Sequence, residues 1–397
     1  MSYPAGLADD VGTGRQATDP SVPSDRHPLG SVLTLFFHFQ PSVYKRNKLI
    51  INSSPYNFSV KRVLFFYALV AALCLIGCKQ QNEPSGDGSG KQEETPTPSN
   101  GGVLSGVFTV GKTTKVRFSP GNLQFNAALG SHQCMDGRTK QGTWRFAKHQ
   151  WDIVGMGYGQ IDENTSCYIG GTVTDGDNRR IGSTYDGWID LFGWGTSGWE
   201  SGANYYEPWS TSDNSEDFCP GGSWFNSLTG DYAKADWGVY NQIGKDAPGS
   251  WRTLTFDEWH YLICLRTNAG YKYGAAKVNG IAGIVVLPDD WTLPSGCSFT
   301  CGLTNAFSWR DWSRVAATNI YSAKQWIQME TAGAVFLPAA GCRYGTSVGG
   351  VGSFCYYWSS TEQGCYVCIL FFGSNDYDTV WQGSRVIGYS VRLVSEL

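Results

Sequence analysis

Residues 155–250 constrain the fold more than any other stretch. They are rich in Gly, Trp, Tyr, Ser and Asp, with little helical or strand period. Gly187-Trp188-Ile189-Asp190-Leu191-Phe192-Gly193-Trp194-Gly195 is the densest part. A long irregular stretch with so many aromatics holds together only by packing on a scaffold supplied by the rest of the chain. The whole chain agrees: 50 Gly, 14% aromatic and only 16% charged residues suit a loop-rich β or α+β domain, not a helical bundle. The Asp residues lack the regular oxygen-ligand spacing of a calcium loop and read as turn formers. A net charge of -4 with no basic stripe gives no nucleic-acid footprint.

The first hundred residues read as targeting and tether. Lys61-Arg62 precedes an apolar run from Val63 to Ile76, then Gly77-Cys78. The run is short for a membrane span and fits a signal peptide over 60–78. Leu75-Ile76-Gly77-Cys78 resembles the lipobox of bacterial lipoproteins, which implies a lipidated Cys78 as the mature N-terminus. Residues 1–59 show no sustained period and are expected to be a non-native or disordered extension. Residues 79–102 are polar and Gly/Pro-rich, a flexible tether. Lys79, with no Asp after the lipid cysteine, fits outer-membrane sorting. Twelve Cys point to an oxidising or surface location and to disulfides, with Cys297 and Cys301 the expected local pair.

Residues 103–397 form one domain with ample core. Phe108, Val110, Val116 and Phe118 alternate with polar residues as in a hairpin, and Leu123 and Trp144-Arg145-Phe146 begin further strands. Two helices are expected. Thr255-Phe256-Asp257-Glu258 is a capping box, with a helix fading near Asn268-Ala269-Gly270. Ser322 with Gln325 is a second, ending at Gly333. Ile284 to Leu287 is a short buried strand. Helices among short antiparallel strands and long loops give an α+β class.

The chain ends in ordered framework interleaved with residues that obey no local rule. Ala334 to Pro338 reads as a buried strand and Gly341 to Gly352 as a Gly-rich loop. Tyr357-Trp358-Ser359-Ser360-Thr361 follows, then an apolar run to Phe372, and Ser390 to Val394 closes as a strand. If Leu370 and Phe372 face the core, alternation turns Ile369, Phe371 and Gly373 outward, an apolar patch of the kind that marks interaction sites. A continuous apolar run also fits a strand buried on both faces.

Phe118-Ser-Pro-Gly-Asn-Leu-Gln124, Trp251-Arg-Thr-Leu-Thr255 with Asp257-Glu-Trp259, Leu287-Pro-Asp-Asp-Trp291, Tyr357 to Thr361 and Ser390 to Val394 together resemble a paralogous surface-lipoprotein family of gut Gram-negative bacteria. The resemblance spans residues 103–397. It implies a C-type-lectin-like fold of the formylglycine-generating-enzyme variety, with short antiparallel strands, two helices and long aromatic and Gly-rich loops. Relatives of that class include targets of diversity-generating retroelements, whose C-terminal codons are rewritten. Tyr344, Phe354, Cys355, Tyr356, Cys365, Tyr366, Ile369, Phe371, Gly373 and Tyr377 carry residue types such rewriting yields. Glu362, Gln363, Trp381 and Gln382 do not. The resemblance thus implies a ligand-binding face over about 342–394 formed by Tyr344, Phe354, Cys355, Tyr356, Tyr366, Ile369, Phe371, Gly373 and Tyr377. A protein or another surface macromolecule is the expected partner, because the Glu-Pro-Asn and Trp-Asn-Asp motifs of calcium-dependent sugar binding are missing.

Catalytic motifs are sparse. There is no Gly-x-Ser-x-Gly or His-Glu-x-x-His. Cys365-x-x-Cys368 lacks a second pair at zinc spacing, and after the lipobox only His132, His149 and His260 remain. Neither a metal, a cofactor nor an enzyme activity is expected. Two alternatives stay open. One is a cysteine oxidase of the formylglycine-generating type using Cys365 and Cys368, whose flanking residues depart from that motif. The other is a structural adhesin or fimbrial subunit.

Overall fold

A computed structural model describes residues 102–154, 159–161, 168–170, 175–302, 319–372 and 377–397, giving only the backbone for 159–161, 168–170 and 377–381. All lie in a compact unit spanning Gly90–Leu397. The expected lipidation site Cys78, residues 1–101 and candidate Gly373 lie outside the described residues.

Hairpins open the domain. β1 (Phe108–Thr109) pairs antiparallel with β2 (Lys115–Phe118), and β3 (Leu123–Gln133) with β4 (Thr139–Phe146). β5 (Gly159–Ile161) and β6 (Tyr168–Gly170) make a third. From Asp175 to Ser250 the described backbone is irregular apart from short 3-10 turns and the one-turn helix α1 (Trp237–Tyr240). β7 (Arg252–Thr253) then leads into α2 (Phe256–His260), which widens into a π-helical turn over Tyr261–Leu265. β8 (Tyr273–Val278), β9 (Ile281–Val286), β10 (Asn319–Tyr321), α3 (Ala323–Thr331) and β11 (Val335–Pro338) follow. The last quarter holds the hairpin β12 (Cys342–Tyr344) and β13 (Ser347–Gly349), the strands β14 (Cys355–Gln363), β15 (Tyr366–Phe372) and β16 (Tyr377–Gly383), and terminal β17 (Leu393–Glu396).

The strands assort into three larger sheets, ordered β1-β2-β17-β7, β10-β8-β9-β11 and β14-β15-β16. The first closes the domain by seating the chain end beside the opening hairpin, with Val394 opposite Phe118. Short, mostly antiparallel strands with few helices confirm the α+β class.

Both capping boxes form. Thr255 Oγ1 accepts from the Glu258 N–H while Glu258 accepts from the Thr255 N–H, and Ser322 does the same with Gln325. Two expected boundaries move. The first helix stops at Leu265, before Asn268, because Arg266 turns extended and its Nε donates back to the Leu262 carbonyl at 2.7 Å. The terminal strand runs over Leu393–Glu396, not Ser390–Val394. Residues Gly388, Tyr389 and Ser390 are instead taken by single bridges to Arg343, Phe192 and Tyr357. Cys297 and Cys301 are both free thiols. The Cys297 thiol turns to α3, donating to Gln325 O at 3.8 Å and Gln328 Oε1 at 3.5 Å, and the nine cysteines among the described residues form no disulfide.

Among the described residues three apolar clusters make the core. One gathers β1, β2, α2, β8 and β9 around Cys355, Tyr357, Leu370 and Phe372. The second is built largely by the irregular stretch, with Phe192, Trp194 and Trp237 packed on Phe125, Trp144, Trp358, Val367 and Ile369. The third lies under α3, where Trp326 and Met329 meet Val285 and Phe336. The aromatic loops therefore hold together by packing on the strand framework, as their composition requires.

A buried polar network joins distant segments. Arg392, fully buried, donates from Nη2 to Gln150 Oε1 at 2.7 Å and from Nη1 to Asn122 Oδ1 at 3.4 Å. Asn122 Nδ2 donates to the Tyr357 hydroxyl at 3.2 Å, and that hydroxyl donates to Pro338 O at 3.0 Å. Gln150 Oε1 also accepts from the Phe336 N–H at 2.7 Å. Removing one partner from such a network leaves buried polar groups unsatisfied, which costs more than the bond itself. Among the described residues no helix is long and apolar enough to cross a membrane.

Candidate binding face

The expected face rests on β14 and β15, and the pairing of these strands decides which side chains emerge. Cys355 lies opposite Phe372, Tyr356 opposite Phe371, Tyr357 opposite Leu370 and Trp358 opposite Ile369. Cys355, Tyr357, Leu370 and Phe372 enter the first cluster, while Trp358, Val367 and Ile369 enter the second. The β14–β15 pair is thus buried on both faces over most of its length. Two expectations fail for this reason. Ile369 is 1% exposed, covered by the aromatic loops, and Cys355 is 0% exposed, its thiol donating to Leu337 O at 3.5 Å.

Leu370 and Phe372 do face the core, as the alternation supposes. Trp358, Leu370, Phe372, Val391 and Leu393 are all buried. Trp358 is anchored by its Nε1, which donates to Phe192 O at 2.7 Å. The rest of its motif also serves the frame: Ser359 Oγ donates to Cys368 O at 2.6 Å, and Thr361 Oγ1 accepts the Phe256 N–H at the start of α2.

Phe354, Tyr356 and Phe371 emerge together, each half-buried. Tyr356 stacks on Phe371 with ring centres 5.0 Å apart and planes at 22°, and Phe354 lies 6.1 Å from Phe371 at 30°. On its inner side Tyr356 stacks on buried Tyr389 at 4.8 Å, and Tyr389 meets Trp358 at 4.6 Å. An aromatic ladder therefore runs from core to surface. Burial pushes the hydroxyls of Tyr356 and Tyr389 well above the ordinary phenol range, so both rings stay neutral. Burial likewise pushes the neighbouring Cys342 thiol up to about 11. A neutral, stacked aromatic step suits contact with apolar and amphipathic groups, not charge recognition.

Tyr344, 50% exposed, stands on the adjoining β12–β13 hairpin, two residues past Cys342, which packs against the cluster holding Tyr389. Arg343 between them is fully buried and pins this hairpin. Its Nε donates to Leu191 O at 3.1 Å, Nη1 to Gly345 O at 2.7 Å and Nη2 to Ser210 O at 3.3 Å. Tyr366 is exposed but does not join the ladder. It opens β15 beside the Gly364-Cys365 turn, five residues from Phe371 and, by alternation, on the other side of the strand. The Tyr377 backbone pairs with Phe372, and its side chain lies outside the described residues. Tyr389 and Arg343 were not expected. Their only sequence signal is adjacency: Tyr389 precedes the closing motif and Arg343 precedes Tyr344.

Cys365 is exposed in the turn, whereas Cys368 is buried and donates to Gln363 Oε1 at 3.5 Å. Burial pushes the Cys368 thiol up to about 11, away from the thiolate that thiol chemistry uses. Cys365 and Cys368 are both free thiols. Among the described residues, no group of three or more His, Cys, Asp or Glu could hold a metal ion. No family model, curated protein or solved structure matches this chain.

Proposed function

We propose that this chain is a lipid-anchored outer-membrane protein whose C-type-lectin-like domain presents an aromatic face to a protein or another surface macromolecule. The lipobox at Leu75 to Cys78 and the polar tether after it support the anchoring. Support for the fold reading comes from the family motifs, whose Asn122, Tyr357 and Arg392 meet in one buried network. The observation that carries the binding reading is the ladder. Phe354, Tyr356 and Phe371 are held half-exposed on a buried aromatic base. Aromatic side chains fixed in this way offer large contact area at little entropic cost, as in antibody paratopes.

The same packing narrows the positions that a retroelement could rewrite without unfolding the domain. Tyr344, Phe354, Tyr356, Tyr366 and Phe371 project from strand ends and turns, whereas Cys355 and Ile369 fill core. Immobilised domain panned against a peptide display library and against a glycan array tests the ligand class. Enrichment of peptides rich in apolar and aromatic residues is expected. Selective retention of glycans with no peptide enrichment would contradict a protein-binding face.

A further inference from the structure

Arg385 lies at the opposite end of the sheet from the ladder. It is fully buried, its guanidinium packed 4.2 Å above Trp194 and 5.4 Å from Trp224. Nη2 donates to Trp224 O at 2.7 Å and to Gly364 O at 3.1 Å, while Nε and Nη1 have no hydrogen-bond partner among the described residues. A buried guanidinium with two unused donors and no carboxylate bonded to it gains from every anion beside it, and Glu362 and two thiols are the acidic groups that act on it. Two thiols flank it. Exposed Cys365 follows Gly364 in the hairpin turn. Cys219 ends the turn Ser215–Phe218, its thiol donating to Ser215 O at 3.6 Å.

The two segments that carry these thiols are already fastened around the arginine. Ser215 Oγ meets Ser384 Oγ at 3.0 Å, the Glu362 N–H donates to Ser227 Oγ at 3.2 Å, and the Leu228 N–H donates to Ser360 O at 2.8 Å. The charges are mutually felt as well. Burial is the main force raising the Cys219 thiol, Arg385 pulls it down, and Glu216, Cys365 and Asp217 push it further up. Both sulfurs in turn act on Arg385.

We propose that Cys219 and Cys365 are a redox pair that closes into a disulfide over Arg385, stapling the 215–228 loop to the tip of the β14–β15 hairpin. The oxidant is a disulfide, small or protein-borne. The exposed Cys365 sulfur, as thiolate, attacks one sulfur of that disulfide and expels the other as a thiolate, leaving a mixed disulfide on Cys365. The Cys219 thiolate then attacks the Cys365 sulfur and expels the second oxidant thiolate. Two protons leave the protein thiols and two electrons pass to the oxidant. Arg385 is the positioning residue: its cationic group, tied to Gly364 beside Cys365, favours the thiolate form. Closure ties down the loop that carries Phe225, 75% exposed, beside the turn that carries Tyr366, and so fixes a second aromatic edge.

The test uses the full chain incubated with oxidised glutathione, then alkylated and digested without reductant for mass spectrometric mapping. A peptide linking Cys219 to Cys365 is the expected product. It should persist in Cys368→Ser, disappear in Cys365→Ser, and raise Tm by about 5 °C over the reduced chain. Arg385→Lys should slow its formation at least tenfold near neutral pH, with the difference shrinking as pH rises and thiolate forms unaided. Cys365 recovered only as a glutathione adduct or joined to a cysteine other than Cys219, with Cys219 alkylated, would overturn the pair. Equal rates in Arg385→Lys and the wild type at every pH would overturn the role of Arg385. Mapping of the wild type needs no substituted chain to fold.

Discussion

Asp190 is a carboxyl in the middle of the aromatic stretch, fully buried and held by Asn178 Nδ2 at 2.7 Å and the Val154 N–H at 2.9 Å. Burial pushes its pKa up to about 6, against the pull of those donors. The folded state therefore holds a proton more tightly than the unfolded chain. Stability from this group is full below about pH 4, falls as pH rises toward about 6, and is level above that. Two pH units at about 1.4 kcal/mol each make the loss on the order of 3 kcal/mol. Asp190→Asn should lower Tm, since an amide must point N–H atoms at a donor, and should flatten the slope between pH 4 and 6. Urea midpoints across that range check it, and parallel curves for mutant and wild type would contradict it. Arg343 acts by position in the same way: Arg343→Lys keeps the charge but loses the fork to three carbonyls. A loss of about 2–4 kcal/mol is expected, with faster amide exchange in the Cys342–Gly349 hairpin.

Elements were legible where a local rule sets them. Thr255 and Ser322 announce their helices because a capping box is a contact within four residues, and Thr255→Ala should cost about 1 kcal/mol in thermal unfolding. Strand β15 was legible as a strand but not as to its faces. Val367 to Phe372 is continuously apolar, and only the loop carrying Phe192 and Trp194, more than 160 residues earlier, decides that Ile369 is covered. Phe371 escapes because that cover ends at Tyr356 and Tyr389. Composition groups Tyr366 with the face because it marks residue type, whereas register and the Gly364 turn, with φ of +60°, set direction. Tyr389 stayed hidden because it lies in a segment held by single bridges, which leave no periodic trace.

For the whole molecule, the proposed lipid-anchored display role makes two demands outside the domain. Cys78→Ser should abolish lipid labelling and move the protein out of the membrane fraction; unchanged fractionation would contradict the anchor. Retroelement rewriting requires a nearby reverse-transcriptase gene and an imperfect repeat of the codons for residues 342–394, with differences at the codons of Tyr344, Phe354, Tyr356, Tyr366 and Phe371 and none at those of the core residues Ile369 and Cys355. Sequencing the flanking DNA reads this directly. The central claim, that a rigid frame carries a separable aromatic face, rests on two adjacent phenylalanines. Phe371→Ala and Phe372→Ala are compared for Tm and for affinity toward a peptide selected on the wild-type domain. Phe372→Ala should lose roughly 3–5 kcal/mol of stability, because it empties core beside Tyr273 and Cys355. Phe371→Ala should keep Tm within a few degrees and weaken binding about 30-fold, the equivalent of about 2 kcal/mol. Equal unfolding of both variants, or a Phe371→Ala domain that binds the peptide as tightly as the wild type, would contradict the account.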